Sequence, residues 1–205
     1  MMCGKPRPSL TIAFFLLLGF VVLLPGLCRA QGSASRLEPQ SMDRVLEVLK
    51  TQDTRRIPYQ ELRMIPALKA PIESKGLLEF IPPDTLIKAV EVPTPSTYRL
   101  SSTEIRVTDG ATGEIRSLKP ETIPELAYIG SSLTSLLNGD KAALLSRWRV
   151  TLGGTTHQWK LNLVPIDRDY SGLRLVTFEG HESDLKKIHI EALDGSSSHF
   201  TLGAR

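Results

Sequence analysis

Between Ile57 and Leu202 the chain is cut into short stretches by turns too tight to hold a crossover. Asp109-Gly110, Thr112-Gly113 and Asp194-Gly195 are hairpin signals, and Pro66, Pro71, Pro82-Pro83-Asp84, Pro93 and Pro95 stop whatever precedes them. The stretches themselves read as strands. His157 to Val164 alternates most cleanly, with Trp159, Leu161 and Leu163 on one face and Lys160 and Asn162 on the other. Counting Ile57–Met64, Ser74–Ile81 and Leu86–Val92 near the start, and Lys187–Leu193 and Ser198–Leu202 near the end, there are about ten strands. Strands joined this closely pair antiparallel, and a single sheet this wide must curl or be covered, because its apolar face cannot face water.

Two breaks in the strand period are helical. Ser41 can cap a helix that carries Met42, Val45, Leu46 and Leu49 along one stripe. In the middle, Pro124 suits a first helical turn, and Leu126, Ile129, Leu133, Leu136 and Leu137 form an apolar stripe that stops at Gly139. Asp140 then caps a second short helix with Ala143, Leu144 and Trp148. The fold class is therefore α+β, mainly β, with helices set against an antiparallel sheet.

The first thirty residues belong to a different logic. Lys5 and Arg7 precede an apolar run from Leu10 to Leu24, then Pro25, Gly26 and Cys28-Arg29-Ala30. This is the layout of a cleavable signal peptide, with an apolar core of about 15 residues against the roughly 20 of a membrane span. Cleavage is expected after Ala30. Lipid attachment at Cys28 and retention of the segment as an anchor stay open as alternatives, although Leu27 stands where a lipid-attachment signal wants a small residue. The organisation is thus 1–30 signal peptide, 31–40 polar flexible lead-in, and 41–205 one folded domain. Both cysteines, Cys3 and Cys28, lie in the signal, so the exported chain holds together by its core and not by disulfides. Removing Lys5, Arg7 and Arg29 also leaves 22 basic against 22 acidic residues, which gives no ground for nucleic-acid binding.

Chemistry is scarce. His157, His181, His189 and His199 are scattered through strands and turns, without the close partners of a zinc site. No nucleophile elbow, phosphate loop or dinucleotide fingerprint occurs, so no cofactor is expected and an enzyme is not. His181-Glu182-Ser183-Asp184 has the residue types of a hydrolase but reads as a polar hairpin turn, and Asp109-Gly110 reads as a turn before it reads as part of a calcium loop. What remains is apolar: Leu78, Phe80, Trp159, Leu161 and Leu163 on strands, and Leu133, Leu136 and Leu137 on the middle helix. Each is either ordinary core or the wall of a cavity for acyl chains, and sequence alone does not separate the two.

The order of several motifs resembles one family. Tyr59-x-Glu61-x-Arg63 is followed by Gly76-x-Leu78-x-Phe80 and Pro82-Pro83-Asp84-x-Leu86. Further on come Leu133-x-x-Leu136-Leu137-x-Gly139-Asp140-x-x-x-Leu144 and Trp159-x-Leu161-x-Leu163-x-Pro165. Together, over about residues 41–202, they are similar to the LolA-like carriers of the periplasm, in particular a LolA-related branch. The resemblance implies a single strongly curved antiparallel sheet, an open half-barrel covered by helices, enclosing a hydrophobic cavity. It implies a monomeric, non-enzymatic periplasmic carrier of acylated lipoprotein or lipid, loaded by an inner-membrane exporter and unloaded to an outer-membrane acceptor. On this resemblance the apolar residues Leu78, Phe80, Leu133, Leu136, Leu137, Trp159, Leu161 and Leu163 would contact the cargo. Where LolA proper has an arginine tied to one-way transfer, this chain has Pro82. The alternative is an envelope structural or assembly protein that uses the same half-barrel without cargo.

Overall fold

The computed structural model describes residues 39–155 and 157–203. The expected signal peptide and most of the lead-in lie outside these residues. Eleven strands form one antiparallel sheet in the order β6-β5-β4-β3-β2-β1-β11-β10-β9-β8-β7. The first six are β1 (Arg55–Met64), β2 (Ile72–Ile81), β3 (Thr85–Val92), β4 (Ser96–Leu100), β5 (Ile105–Asp109) and β6 (Ile115–Leu118). The last five are β7 (Trp148–Gly154), β8 (Gln158–Pro165), β9 (Leu173–His181), β10 (Asp184–Ala192) and β11 (Ser197–Leu202). Each half is a plain meander, and the two halves meet along a seam between β1 and β11, from Tyr59↔Leu202 to Met64↔Ser197. The outer edges are β6 and β7. They do not pair with each other, so the sheet stays open rather than closing as a barrel.

The connection between those two edges carries most of the helix. After a single 3-10 turn at Pro120–Thr122 come α2 (Pro124–Asn138) and α3 (Lys141–Arg147), while α1 (Pro39–Leu49) precedes β1 and α4 (Arg168–Ser171) joins β8 to β9. Gly139 ends α2 at φ 69°, a left-handed conformation that suits glycine, and its N–H donates back to the Leu136 carbonyl. The Asp140 carboxylate accepts from the Ala143 N–H at 2.9 Å and starts α3. Met42, Val45, Leu46 and Leu49 of α1 are buried, and the Thr51 N–H donates to the Leu137 carbonyl, which ties the end of α1 to the end of α2. The helices and the apolar face of the sheet make one continuous core.

Three expectations need correction. α1 begins at Pro39, so Ser41 lies inside the helix instead of capping it. Proline lacks the N–H that a first turn leaves unused, which lets the helix start there. Trp148 is the first residue of β7 and not the end of a helix. Its backbone is extended, and it pairs with Pro165, because a bulky aromatic at a strand end buries its ring (1 % exposed) against Tyr128. The histidines are not all scattered: the β10–β11 register sets His189 opposite His199, with ring centroids 4.0 Å apart. The turn readings agree with the structure. Glu182-Ser183 is a tight hairpin turn between paired His181 and Asp184, and the Asp109 carboxylate accepts from the N–H groups of Ala111 and Thr112.

Candidate functional site

Two cavities flank α2. The larger, about 390 Å³, is bordered by several polar groups, among them Asp84, Ser102 and Arg147. Asp84 accepts from the Ser102 N–H and hydroxyl, which hold its carboxyl below the usual range, and the Arg147 guanidinium lies 5.3 Å from the centre of the Tyr128 ring. The second, about 320 Å³, lies between α2 and the sheet and is the apolar one. Leu86 and Leu100 border both. Leu100 is held against α2 because position 130 is glycine: a Cβ there would come 2.9 Å from Leu100 Cδ2.

The walls of the apolar cavity follow from strand parity. On β10, Ile188 and Ile190 take the buried face, and on β11 Phe200 and Ser198 do. Leu78, Leu86, Tyr98 and Leu100 line it from β2, β3 and β4, and α2 covers it with Leu126, Ile129 and Leu133. Of the eight residues proposed from sequence as cargo contacts, Leu78 and Leu133 border this cavity. Phe80, Leu136, Leu137, Trp159, Leu161 and Leu163 are buried in the surrounding core and border neither cavity. Pro82 sits in the turn between β2 and β3 and borders neither one.

The apolar wall also holds charges, which hydrophobic alternation does not mark as part of a site. Tyr59, Glu61 and Arg63 share one face of β1, and that face is the inner one. Glu61 is 7 % exposed. Its carboxylate accepts from the Ser74 hydroxyl at 3.0 Å and from the Lys88 ammonium, with which it forms an ion pair. Lys88 Nζ lies 5.4 Å from the centre of the Tyr59 ring and 5.0 Å from that of Phe200, so two aromatic faces also share the charge. At one end of the cavity stand Arg63 and, in the first turn of α2, Glu125, whose carboxyl is pushed up by burial and pulled back by Arg63.

Beside the pair, the Tyr59 hydroxyl is buried with no hydrogen-bond partner among the described residues. Burial pushes its pKa up to about 12; the nearby Ser74 hydroxyl, which is engaged with Glu61, opposes this in part, and the negative charge of Glu61 adds to it. A raised folded value means that the stability due to Tyr59 is intact below the ordinary tyrosine range near 10 and is lost as pH climbs toward 12. Ultraviolet titration is therefore expected to show Tyr59 ionising only at about 12, with the melting temperature falling as pH climbs toward it. Ionisation of all tyrosines together near 10 would contradict this burial.

Among the described residues no three His, Cys, Asp or Glu side chains gather as a metal site. No described helix is long and apolar enough to cross a membrane.

Residues 34–204 match the family described as outer membrane lipoprotein carrier protein LolA-like. No curated protein is significantly similar in sequence. Among solved structures, a LolA superfamily protein from Nitrosomonas europaea is similar at 11 % identity and TM-score 0.41, over 80 % of this chain and 90 % of that one. A putative outer membrane lipoprotein-sorting protein domain from Vibrio parahaemolyticus is similar at 8 % identity and TM-score 0.44, over 80 % and 91 %. The structure of the Clostridioides difficile CwlD amidase in complex with the GerS lipoprotein is also similar, at 12 % identity and TM-score 0.38, over 69 % and 78 %.

Proposed function

Since the chain belongs to the LolA-like outer membrane lipoprotein carrier family, we propose that it is a non-enzymatic carrier that shields acyl chains in the cavity between α2 and the sheet. The observation that supports this reading is the cavity of about 320 Å³ whose cover is one apolar helix face. An acyl chain entering it leaves water at a gain of about 0.8 kcal/mol per buried methylene. Helix α2 is the natural lid. It lies in the connection between the two unpaired edges of the sheet, so it can shift without breaking a strand pair.

On this reading the carrier works in the periplasm, taking lipoprotein or lipid from the inner membrane and giving it up at the outer one. The cargo contacts include Leu78 and Leu133, joined by Leu126, Ile129 and Phe200. The other six sequence candidates hold the wall in shape from behind. Pro82, in the turn between β2 and β3, does not border the cavity and so is not a cargo contact on this reading.

The test is binding of N-phenyl-1-naphthylamine, an uncharged dye that brightens in apolar surroundings. Saturable brightening is expected, reversed by an added acyl lipid. Leu126→Asp places a charge on the half-buried cover and is expected to weaken dye binding by tenfold or more, about 1.4 kcal/mol, while the melting temperature moves by only a few degrees. A folded protein that binds neither dye nor lipid would instead support an envelope structural role without cargo.

A further inference from the structure

The Lys88–Glu61 pair has no need to sit where it does. Strand alternation gives both residues an inner-face position in an otherwise apolar wall, where leucine or valine would pack at lower cost. An ammonium carries three N–H donors. Glu61 accepts from one of them, and no other acceptor for Lys88 occurs among the described residues. The aromatic faces of Tyr59 and Phe200 attract the charge but accept no full hydrogen bond. Lys88 borders the cavity, so the donors left over are available to a ligand that enters it.

The charge balance narrows what that ligand is. Lys88 is matched by Glu61, and Arg63 by Glu125, so the ionisable side chains around the cavity sum to zero. A carboxylate placed there would add a negative charge that nothing compensates, beside the buried Glu61. A carbonyl oxygen, by contrast, accepts from the ammonium and adds no charge. Taking the cavity as an acyl site, as argued above, we propose that it selects acyl chains joined through an ester or amide carbonyl and rejects free fatty acids. Lys88 supplies the hydrogen bond, and Glu61 supplies the rejection.

Dye displacement tests this with ligands of one chain length: decanoylglycerol for the ester, N-decanoylethanolamine for the amide, decyl glyceryl ether, which lacks a carbonyl, and decanoate. In mildly alkaline buffer the wild-type protein is expected to bind ester or amide about tenfold more tightly than the ether, and more tightly than decanoate. Preference for the ester or for the amide identifies an acylglycerol or an N-acyl cargo, and either outcome supports the proposal. Glu61→Gln leaves Lys88 unmatched and is expected to turn the preference toward decanoate. Lys88→Met combined with Glu61→Gln leaves no unpaired charge at the pair and is expected to erase the ester-over-ether preference while the dye still binds. Equal binding of ester and ether by the wild-type protein, or a Glu61→Gln variant that still favours the ester, overturns the proposal while leaving an acyl carrier. If the dye and every ligand fail to bind, the carrier reading falls with it.

Discussion

Replacing Trp159 by alanine is expected to cost about 3–5 kcal/mol, measured as a lower denaturant midpoint at unchanged slope. The ring is 1 % exposed, and its indole N–H donates to the Glu182 carbonyl at 2.9 Å, pinning the β9–β10 turn. Its strand partners on either side are both glycine, Gly154 and Gly180. At Gly180 a Cβ would come 2.1 Å from Trp159 Cζ2, so the indole occupies the space that a side chain there would need. Alanine at 159 therefore leaves a void that two glycines cannot fill. Against a total stability of about 5–15 kcal/mol for a domain, this is a large share. A loss under about 1 kcal/mol would mean that the site collapses around the void or that water fills it.

Lys88→Met is expected to cost nearly as much for a different reason. Removing one partner of a buried ion pair strands the other, at about 3–5 kcal/mol. Glu61 would keep only the Ser74 hydroxyl. Lys88→Met together with Glu61→Gln removes the stranded charge and is expected to recover most of the loss, so the two substitutions are strongly non-additive in a double-mutant cycle. A single variant as stable as the wild type would show that water in the cavity already solvates Glu61.

Much of the fold was legible because period and punctuation agreed. Trp159-x-Leu161-x-Leu163 alternates, and the structure buries all three residues on one face of β8. Pro124, Gly139 and Asp140 bound and separate α2 and α3 as their backbone chemistry requires. Helix α4 is not legible from period, although Asp167, which accepts from the Tyr170 N–H, and Gly172 at φ 69° mark its two ends. Four residues are too few to show a helical period.

The site was less legible, because hydrophobicity marks a core and a cavity alike. Leu136 and Leu161 have the pattern of Leu133 and Leu78, yet only the latter two border the open space. The better signal was polar. Tyr59-x-Glu61-x-Arg63 puts two charges at the parity of a buried tyrosine, and Lys88 shares that parity with Leu86 on β3. A charge in the core phase of a strand is expensive unless something occupies it, so such positions locate a site that leucines cannot.

The seam between β1 and β11 also governs how the chain reaches this structure. Every other strand pairs with a neighbour in sequence, so each meander can zip locally from its own hairpins. Among the strand pairings, the six pairs of the seam alone join the beginning of the domain to its end. Until β11 emerges, β1 and β10 each present a bare edge, which invites pairing with another chain. Loop closure grows only slowly more costly with length, so thermodynamics does not forbid the late joint, but the rate feels it. Synthesis delivers the keystone last.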